Sequence, residues 1–347
     1  MSKSTVALHF KKADVREDLS AVVRAGRHLW LASDETTHLE RLTRKDSDTF
    51  TDHESFPLAS YLSLPAGAEE EIDIEGLDYV EQAENRYLWL VGSHSLKRKL
   101  PQEDEDTTYE QVSKRLTKIG ADGNRFLLAR LTLQEDAAGN DIPAHPAAQL
   151  QGHNKGDVLT DALQSDQHVG RFMTIPSKDN GFDIEGLAVV GERIFLGLRG
   201  PVLRGWAVIL EIAVETATDP RFLQLKEVGP GKWYKKHFLR LDGLGVRELC
   251  IMQSDLLILA GPTMVLDGPA RIYRWKDALT TTEEQFAYQT EMVREMPFGK
   301  ARGHAEGITR FNKKADAEHP KILVVYDSPA KKRMKGATGV RADIFKV

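Results

Sequence analysis

Short apolar runs separated by turn residues recur along the whole chain. The runs are four to nine residues long, rich in Val, Ile, Leu, Phe and Trp, and bounded by Gly, Pro, Asn or Asp. That length, composition and punctuation predict β-strands. Five successive units share one order: an acidic residue, a first strand, a turn, a second strand that ends in small or polar residues, and a third strand. The units begin at Asp18, Glu75, Glu185, Glu248 and Glu306.

Two of the unit starts share the pentapeptide DIEGL, at residues 73–77 and 183–187. The predicted fourth strands of the first four units are the runs 60–65, 171–176, 237–241 and 293–298. Four antiparallel strands per unit, repeated radially, is the plan of a β-propeller. The last unit has three strands, and we expect the alternating N-terminal run 4–10 to supply its fourth and to close the ring. The sequence therefore predicts one all-β propeller domain over residues 1–347.

The second unit is longer than the others. Glu75 and Glu185 lie 110 positions apart, whereas the next two intervals are 63 and 58. Amphipathic patterns at 101–120 and 155–168 predict two helices in the extra length. We therefore expect a partly helical insertion over residues 101–168, which is either padding or a cap over one face. Five blades are favoured, and six is the alternative if the insertion holds another blade.

The residues with chemical potential are expected to gather at one mouth of the propeller. In an antiparallel blade the first strand begins at the same end where the second strand finishes. The first-strand set is Asp18, Glu75, Glu185, Glu248 and Glu306; the second-strand ends contribute Asp34, His94, Arg199 and Asp327, and the neighbours are Arg247, Arg302 and His304.

Several carboxylates in a confined space repel one another, so they must take up protons, pair with basic groups or bind a cation. An oxygen-rich set without thiolates suits Ca²⁺, Mg²⁺ or Mn²⁺. We expect the five acidic residues of the first-strand set to be metal ligands. Arg199, Arg247 and His304 are the candidates for binding an anionic substrate. His94, Asp34 and Asp327 are the candidates for moving protons or orienting water.

A structural interpretation stands beside this one. Each carboxylate could accept backbone N–H groups and lock neighbouring blades, while the glycine after it permits a close approach. Arg199 and Arg247 would then pair with those carboxylates as a structural network.

Composition excludes several classes of function. Lys+Arg 47 against Asp+Glu 52 gives a net charge of −5, which lacks the basic excess of a duplex nucleic-acid binder. The only cysteine, Cys250, excludes an internal disulfide and a cysteine zinc site. No apolar stretch has the length of a membrane span or a signal peptide, so we expect a cytoplasmic protein. Motifs for a nucleophilic serine, a phosphate-binding loop or a zincin are absent.

Four segments carry a family resemblance: LWLASDE (29–35), IPSKDNGFDIEGLAVV (175–190), HAEGI (304–308) and YDSPAKKR (326–333). Together they resemble an uncharacterised bacterial family, domain of unknown function 3616, over essentially the whole chain. The resemblance implies a propeller without an established reaction. At the level of the fold alone, the acidic-Gly starts are also similar to gluconolactonase-like and phytase-like esterase propellers that bind a metal.

The function expected from the sequence is a divalent-metal-dependent hydrolase that cleaves an anionic ester, a phosphoester rather than a lactone. The alternative is a non-catalytic propeller that binds a small anion or a protein partner. A third interpretation is a scaffold that contacts a protein partner through the 101–168 insertion.

Overall fold

The computed structural model describes residues 4–299, 303–312 and 320–347, and most of the regular structure in these residues is β-strand. The first part of the chain forms β1 (Ser4–His9), β2 (Leu19–Ala25), β3 (His28–Ser33), β4 (His38–Arg44), β5 (Thr49–Pro57), β6 (Ile74–Gln82), β7 (Asn85–Gly92) and β8 (Lys97–Arg98). Next come helix α1 (Tyr109–Leu116), β9 (Ile119–Gly120), β10 (Leu128–Glu135), β11 (Asp141–Leu150), β12 (Gly152–His153), β13 (Gly156–Asp157) and helix α2 (Val158–Leu163). The central part forms β14 (Asp183–Val190), β15 (Arg193–Gly200), β16 (Trp206–Thr216), β17 (Phe222–Lys226), β18 (Tyr234–Arg240), β19 (Gly245–Met252), β20 (Asp255–Gly261) and β21 (Ala270–Trp275). The last strands are β22 (Phe286–Ala287), β23 (Glu291–Met296), β24 (His304–Arg310), β25 (Lys321–Asp327), β26 (Met334–Lys335) and β27 (Gly339–Lys346).

The longer strands of the described residues fall into groups of four that pair side by side. The groups are β2-β3-β4-β5, β6-β7-β10-β11, β14-β15-β16-β17, β19-β20-β21-β23 and β24-β25-β27-β1. In the third group, β17 and β18 pair with successive parts of β16, so they share the fourth place. Short parallel contacts of β1 with β5 and of β11 with β17 join neighbouring groups into larger sheets.

The N-terminal strand completes the last group. Residues Ser4–His9 pair antiparallel with β27, from Ser4 opposite Ile344 to His9 opposite Gly339. The prediction that the run 4–10 supplies the missing fourth strand is confirmed. Joining the two ends of the chain in one sheet covers edges that would otherwise be open to association.

The first strands of the groups lie side by side in a closed cycle. β2 contacts β6, β6 contacts β14, β14 contacts β19, β19 contacts β24, and β24 contacts β2. A polar contact crosses each of these seams: Ser20 Oγ to Ile74 O (2.5 Å), Val189 N to Asp78 Oδ2 (2.6 Å), Leu187 N to Glu248 Oε1 (3.3 Å), Arg247 Nη1 to Glu306 Oε2 (2.6 Å) and Arg24 N to Thr309 Oγ1 (3.1 Å).

The glycine of the repeated EGL segment is explained by this close approach of first strands. A Cβ atom on Gly76 would lie 2.7 Å from the Cβ of Leu187 in the next first strand. A Cβ atom on Gly307 would lie 3.1 Å from Val22 of β2. Because these atoms belong to backbone or to the base of a side chain, they cannot move aside cheaply.

We expect Gly76→Ala to lower the free energy of unfolding by about 1–3 kcal/mol, because the added methyl group overpacks the seam between β6 and β14. Urea denaturation followed by tryptophan fluorescence measures this change. Gly120→Ala is the matched control, since nothing lies within 4 Å of a Cβ atom at Gly120. Equal stability of the two variants would contradict the close approach.

Two of the predicted fourth strands are wrong. Residues 60–65 and 171–176 form turns, and the fourth places belong to β5 and β11. The β5 sequence TFTDHESFP is mostly polar because it lies at the outer edge of its group. The β11 sequence DIPAHPAAQL contains two prolines, which an outer strand tolerates although they are typical of a turn.

The predicted insertion over residues 101–168 is not one separate segment, because its central part belongs to the sheet. Strands β10 and β11 lie inside it as third and fourth strands of the second group. Helix α1 has the capping box of Thr108 and Gln111 and buries none of its residues. Helix α2 instead buries Leu159 and Leu163 in the core. No helix among the described residues is long and apolar enough to cross a membrane.

Candidate functional site

A β-bulge stands near the start of each first strand. The pairing with the second strand skips one residue in each case, and the skipped residues are Ser20, Glu75, Glu185, Arg247 and Glu306. A bulge leaves one residue outside the pairing and redirects its side chain. These five residues, called the bulge set below, therefore hold equivalent places in the cycle of first strands.

The bulge set differs from the predicted metal ligands at two places. Asp18 lies two residues before Ser20, and Glu248 lies one residue after Arg247. The Glu248 carboxylate is buried and accepts hydrogen bonds from the backbone N–H groups of Leu187 (3.3 Å) and Leu249 (2.8 Å). Burial raises its pKa well above the usual value. Glu248 thus ties β19 to β14, as the structural interpretation of the sequence expects.

Two arginines neutralise the glutamates of the bulge set on one side of the mouth. Arg199 Nη1 lies 2.6 Å from Glu185 Oε1, and Arg247 Nε lies 3.3 Å from Glu185 Oε2. Arg247 Nη1 also lies 2.6 Å from Glu306 Oε2. These side chains are buried or nearly so, and removing either arginine would leave Glu185 with one guanidinium instead of two. Arg199 and Arg247 are therefore engaged with the protein's own carboxylates.

Glu75 is the unpaired member of the set. Within the described residues, its carboxyl group has no hydrogen bond and no ion pair. Burial raises the pKa of Glu75 well above its usual value, and the carboxylates of Asp73 and Glu185 raise it further. Such a group favours its protonated form.

Arg125 neutralises the carboxylates that precede Glu75. Its guanidinium contacts Asp73, lies 3.0 Å from Glu71 Oε1 and donates a 2.9 Å hydrogen bond to Ser95 Oγ. Sequence reasoning missed this buried arginine. Its only signal is its place just before the buried run FLLA, which leads into β10.

Asp34, Asp18 and Asp327 line the mouth between the first and last groups. Asp18 and Asp327 form a backbone bridge. Burial raises the pKa of Asp34 to about 7, with contributions from Asp73 and Asp327, and burial raises the pKa of Asp18 to about 6. Asp327 behaves in the opposite way. Burial alone would raise its pKa, but the neighbouring His304 imidazole and a hydrogen bond from the Ser328 hydroxyl hold it below the usual value.

The two predicted histidines have different places. His94 is fully buried, with Nε2 2.8 Å from Asp157 Oδ2 and Nδ1 2.8 Å from the carbonyl oxygen of Gly92. Both ring nitrogens are occupied, so His94 anchors the N-cap of α2 and does not face a ligand. His304 is half exposed, and its Nδ1 lies 3.7 Å from Asp327 Oδ2, which raises the pKa of the imidazole. Arg302 lies outside the described residues.

Residues 18–343 match the family described as protein of unknown function DUF3616. The chain belongs to the DUF3616 family. No curated protein matches this DUF3616 chain. Among solved structures it is similar to xylan β-1,4-xylosidase from Bacillus halodurans C-125, at 11% identity and a TM-score of 0.45, over 97% of this chain and 54% of the xylosidase.

Two further structural neighbours have lower TM-scores than the xylosidase. Glutaminyl cyclase from Myxococcus xanthus has 9% identity and a TM-score of 0.39, over 99% of this chain and 98% of the cyclase. Virginiamycin B lyase from Staphylococcus aureus has 10% identity and a TM-score of 0.32, over 94% of this chain and 68% of the lyase. The DUF3616 chain spans about half the length of the xylosidase. Likeness at this level carries no argument about function.

The residues of the DUF3616 protein do not fit the five-carboxylate metal centre expected from the sequence. Across residues 4–299, 303–312 and 320–347, no group of three or more His, Cys, Asp or Glu side chains is placed to hold a metal ion. Glu185 and Glu306 are bound by arginines, and Glu248 is bound by backbone amides. The arginines thus supply the positive charge that the sequence assigned to a cation.

We expect the melting temperature of the DUF3616 protein to stay the same after dialysis against EDTA, because arginines rather than a cation neutralise the bulge set. Differential scanning fluorimetry with added Ca²⁺, Mg²⁺ or Mn²⁺ provides the comparison. A rise in melting temperature with one of these ions that disappears in Glu185→Gln would contradict this account.

The raised pKa of Asp34 predicts a pH-dependent stability. The folded protein holds this proton up to about pH 7, whereas an unfolded aspartate releases it near the usual 3.8. The folded state therefore binds more protons in that window, and stability falls as the pH rises through it. We expect urea denaturation to show that this fall is smaller in Asp34→Asn, by up to about 1 kcal/mol per pH unit. Parallel curves for wild type and variant would contradict the raised pKa.

Proposed function

We propose that this DUF3616 protein is a five-bladed β-propeller that hydrolyses an uncharged or cationic ester by carboxyl acid–base catalysis at one mouth. Asp34 is the proton donor and Asp327 is the base. His304 positions Asp327, while Arg199, Arg247 and Arg125 hold the surrounding carboxylates in place.

The cycle of first strands supports the blade number. Five groups of four strands contribute one first strand each, and the fifth first strand lies against the first. A sixth blade would have to interrupt this cycle. The long second interval instead contains α1, α2 and two short hairpins outside the groups.

The opposed pKa shifts of Asp34 and Asp327 carry the catalytic proposal. One carboxyl group is held protonated up to about pH 7, and a neighbouring one is held ionised below its usual range. Pairs of carboxyl groups whose surroundings push their pKa values apart are suited to separate acid and base roles. The two groups are close enough for the charge of Asp327 to raise the pKa of Asp34.

The proposed reaction needs only these two groups and water. The Asp327 carboxylate accepts a proton from water as the water oxygen forms a bond to the carbonyl carbon of the ester. The bond from that carbon to the alcohol oxygen then breaks, and Asp34 donates its proton to the departing alcohol. The products are a carboxylic acid and an alcohol, and proton exchange with solvent returns Asp34 and Asp327 to their starting forms.

The charge of the mouth favours an uncharged or cationic substrate over the anionic one expected from the sequence. Each of the three arginines that the structure describes here is bound to a carboxylate: Arg125 to Asp73, Arg199 to Glu185 and Arg247 to Glu306. Among the remaining carboxyl groups at the mouth, Asp327 is held ionised, whereas Asp34 and Glu75 favour their protonated forms. A phosphoester would therefore meet the negative charge of Asp327 without a free arginine there, among the described residues, to offset it.

Hydrolysis assays with three probes test the proposal. Neutral p-nitrophenyl acetate and a cationic choline ester should be cleaved faster than p-nitrophenyl phosphate. Preferential cleavage of the phosphate would contradict the charge argument. The network of Arg199, Glu185 and Arg247 also suits a non-catalytic binding propeller, and binding of a choline ester in equilibrium dialysis without turnover would support that second function.

A further inference from the structure

A groove lies beside the mouth, between residues 261–270 after β20 and the described residues 297–298 and 303–306. One wall is apolar and contains Pro262, Leu266 and Phe298. Its enclosed volume is about 30 Å³, which is room for roughly one water molecule. A bound group must therefore lie along the apolar wall rather than inside a closed cavity.

The groove is also lined by polar side chains of the site described above. These are Arg247, Glu306 and His304. His304 also lies 3.7 Å from Asp327, so the groove leads directly to the proposed base. An apolar wall facing a few charged groups is the usual composition of a small-molecule site.

The loop beside the groove exposes three consecutive apolar side chains. Met264, Val265 and Leu266 are 44%, 64% and 63% exposed, and Phe298 across the groove is 43% exposed. Single exposed apolar residues are common, but a continuous patch marks a contact surface. The two sides of the patch are tied together, because the Gly299 N–H donates a 2.9 Å hydrogen bond to Asp267.

A chain of polar contacts connects the apolar patch to helix α1. Met264 forms a backbone bridge with Asp179, and Asp179 Oδ2 lies 2.8 Å from Arg98 Nε. The Arg98 guanidinium in turn donates a hydrogen bond to the carbonyl oxygen of Leu116 at the end of α1. Leu116 is itself exposed, as is Ile119 just beyond the helix. The exposed residues Met264, Val265 and Leu266, called the rim below, thus lie in a loop that these polar contacts connect to α1.

We propose that this groove and its rim bind the apolar acyl chain of an amphiphilic ester, with the ester carbonyl at His304 and the chain along Leu266 and Phe298. The assignment of the ester rests on the proposed function. The groove supplies the two chemistries that such a molecule needs, an apolar wall and a polar end that meets the proposed base. Burying the chain would cover side chains that now face water.

A chain-length series tests the groove through catalysis. The double variant Leu266→Ser/Phe298→Ser should raise KM for p-nitrophenyl octanoate roughly tenfold and leave KM for the acetate unchanged, because only the longer chain reaches the wall. Met292→Ser is the matched control, since Met292 is exposed on an outer strand away from the groove. An equal rise in KM for both esters in the double variant would overturn the proposal.

A binding measurement separates this inference from the proposed function. Octanamide, which is neutral and has the same chain, is titrated into wild type, the double variant and Met292→Ser by calorimetry. Binding by wild type and the control that weakens roughly tenfold in the double variant supports the groove, even if no ester is hydrolysed. No binding to wild type, or equal binding to the double variant, overturns it even if hydrolysis is observed. Self-association that only the double variant loses, without octanamide binding, would assign the patch to a second copy of the chain.

Discussion

Replacing Asp34 by Asn lowers kcat/KM for ester hydrolysis at pH 7 about 10²- to 10⁴-fold, the range typical of losing a general acid. The amide keeps the shape of the side chain but has no acidic proton to donate to the departing alcohol. In the wild type the rate should fall above about pH 7, where Asp34 loses its proton. That falling limb should be absent from the residual activity of the variant.

Asp104→Asn is the matched control for Asp34→Asn, because Asp104 is exposed in the segment before α1. It should keep wild-type activity and the wild-type pH profile. Asp327→Asn should also lose activity. The fall in rate at low pH, which reports protonation of the base, should be absent from the residual activity of this variant. An Asp34→Asn enzyme that retains full activity and the fall above pH 7 would exclude Asp34 as the proton donor.

Replacing Arg199 by Met lowers the free energy of unfolding by about 3–5 kcal/mol, the usual cost of breaking a buried ion pair. Methionine preserves much of the volume but leaves Glu185 with one guanidinium instead of two and Asp183 without its nearest cation. Urea denaturation at pH 7 measures the change. Adding Glu185→Gln to Arg199→Met should restore part of the stability, because the amide carries no charge to be compensated.

The exposed pair of Arg221 and Asp219 provides the control for Arg199→Met. Arg221 Nη2 lies 2.6 Å from Asp219, but the arginine side chain is 71% exposed. Exposed pairs contribute little, so Arg221→Met should change stability by less than about 1 kcal/mol. Similar losses for the two variants, or no restoration by Glu185→Gln, would show that Glu185 does not depend on Arg199.

The repeated local patterns allowed much of the fold to be predicted from the sequence. The acidic starts, the paired apolar runs and the alternating run 4–10 each reflect a strand with a buried apolar side. The outer strands β5 and β11 could not be recognised in the same way. β5 is mostly polar, and β11 carries two prolines among small residues, so their hydrophobic pattern is weak.

The candidate site was predictable where the bulge residue is acidic. Glu75, Glu185 and Glu306 stand at equivalent places and share the glycine that follows them. In β19 the bulge residue is Arg247, and an alignment on acidic residues selects its neighbour Glu248 instead. A one-residue shift of this kind depends on strand pairing, which a single sequence does not display.

The groups that neutralise the carboxylates were harder to predict than the carboxylates themselves. Arg125 lies in the segment just before β10, and its pairing with Asp73 depends on contacts between distant segments. His94 looked available for proton transfer, but α2 folds back and Asp157 occupies its ring. The pairing of Arg125 with Asp73 and of His94 with Asp157 depends on the tertiary packing of residues 93–127 and 151–182. These segments have no counterpart in the other repeats with which they could be aligned.

The account depends most directly on the ionisation of Asp34, which can be measured without knowing the substrate. Carboxyl ¹³C NMR of aspartate-labelled protein, titrated from pH 3 to 9, identifies the Asp34 signal by its absence in Asp34→Asn. We expect that signal to titrate at about pH 7 while Asp327 titrates below its usual value. An Asp34 carboxyl group that ionises near 3.8, as an unperturbed aspartate does, would contradict the proposed acid–base pair.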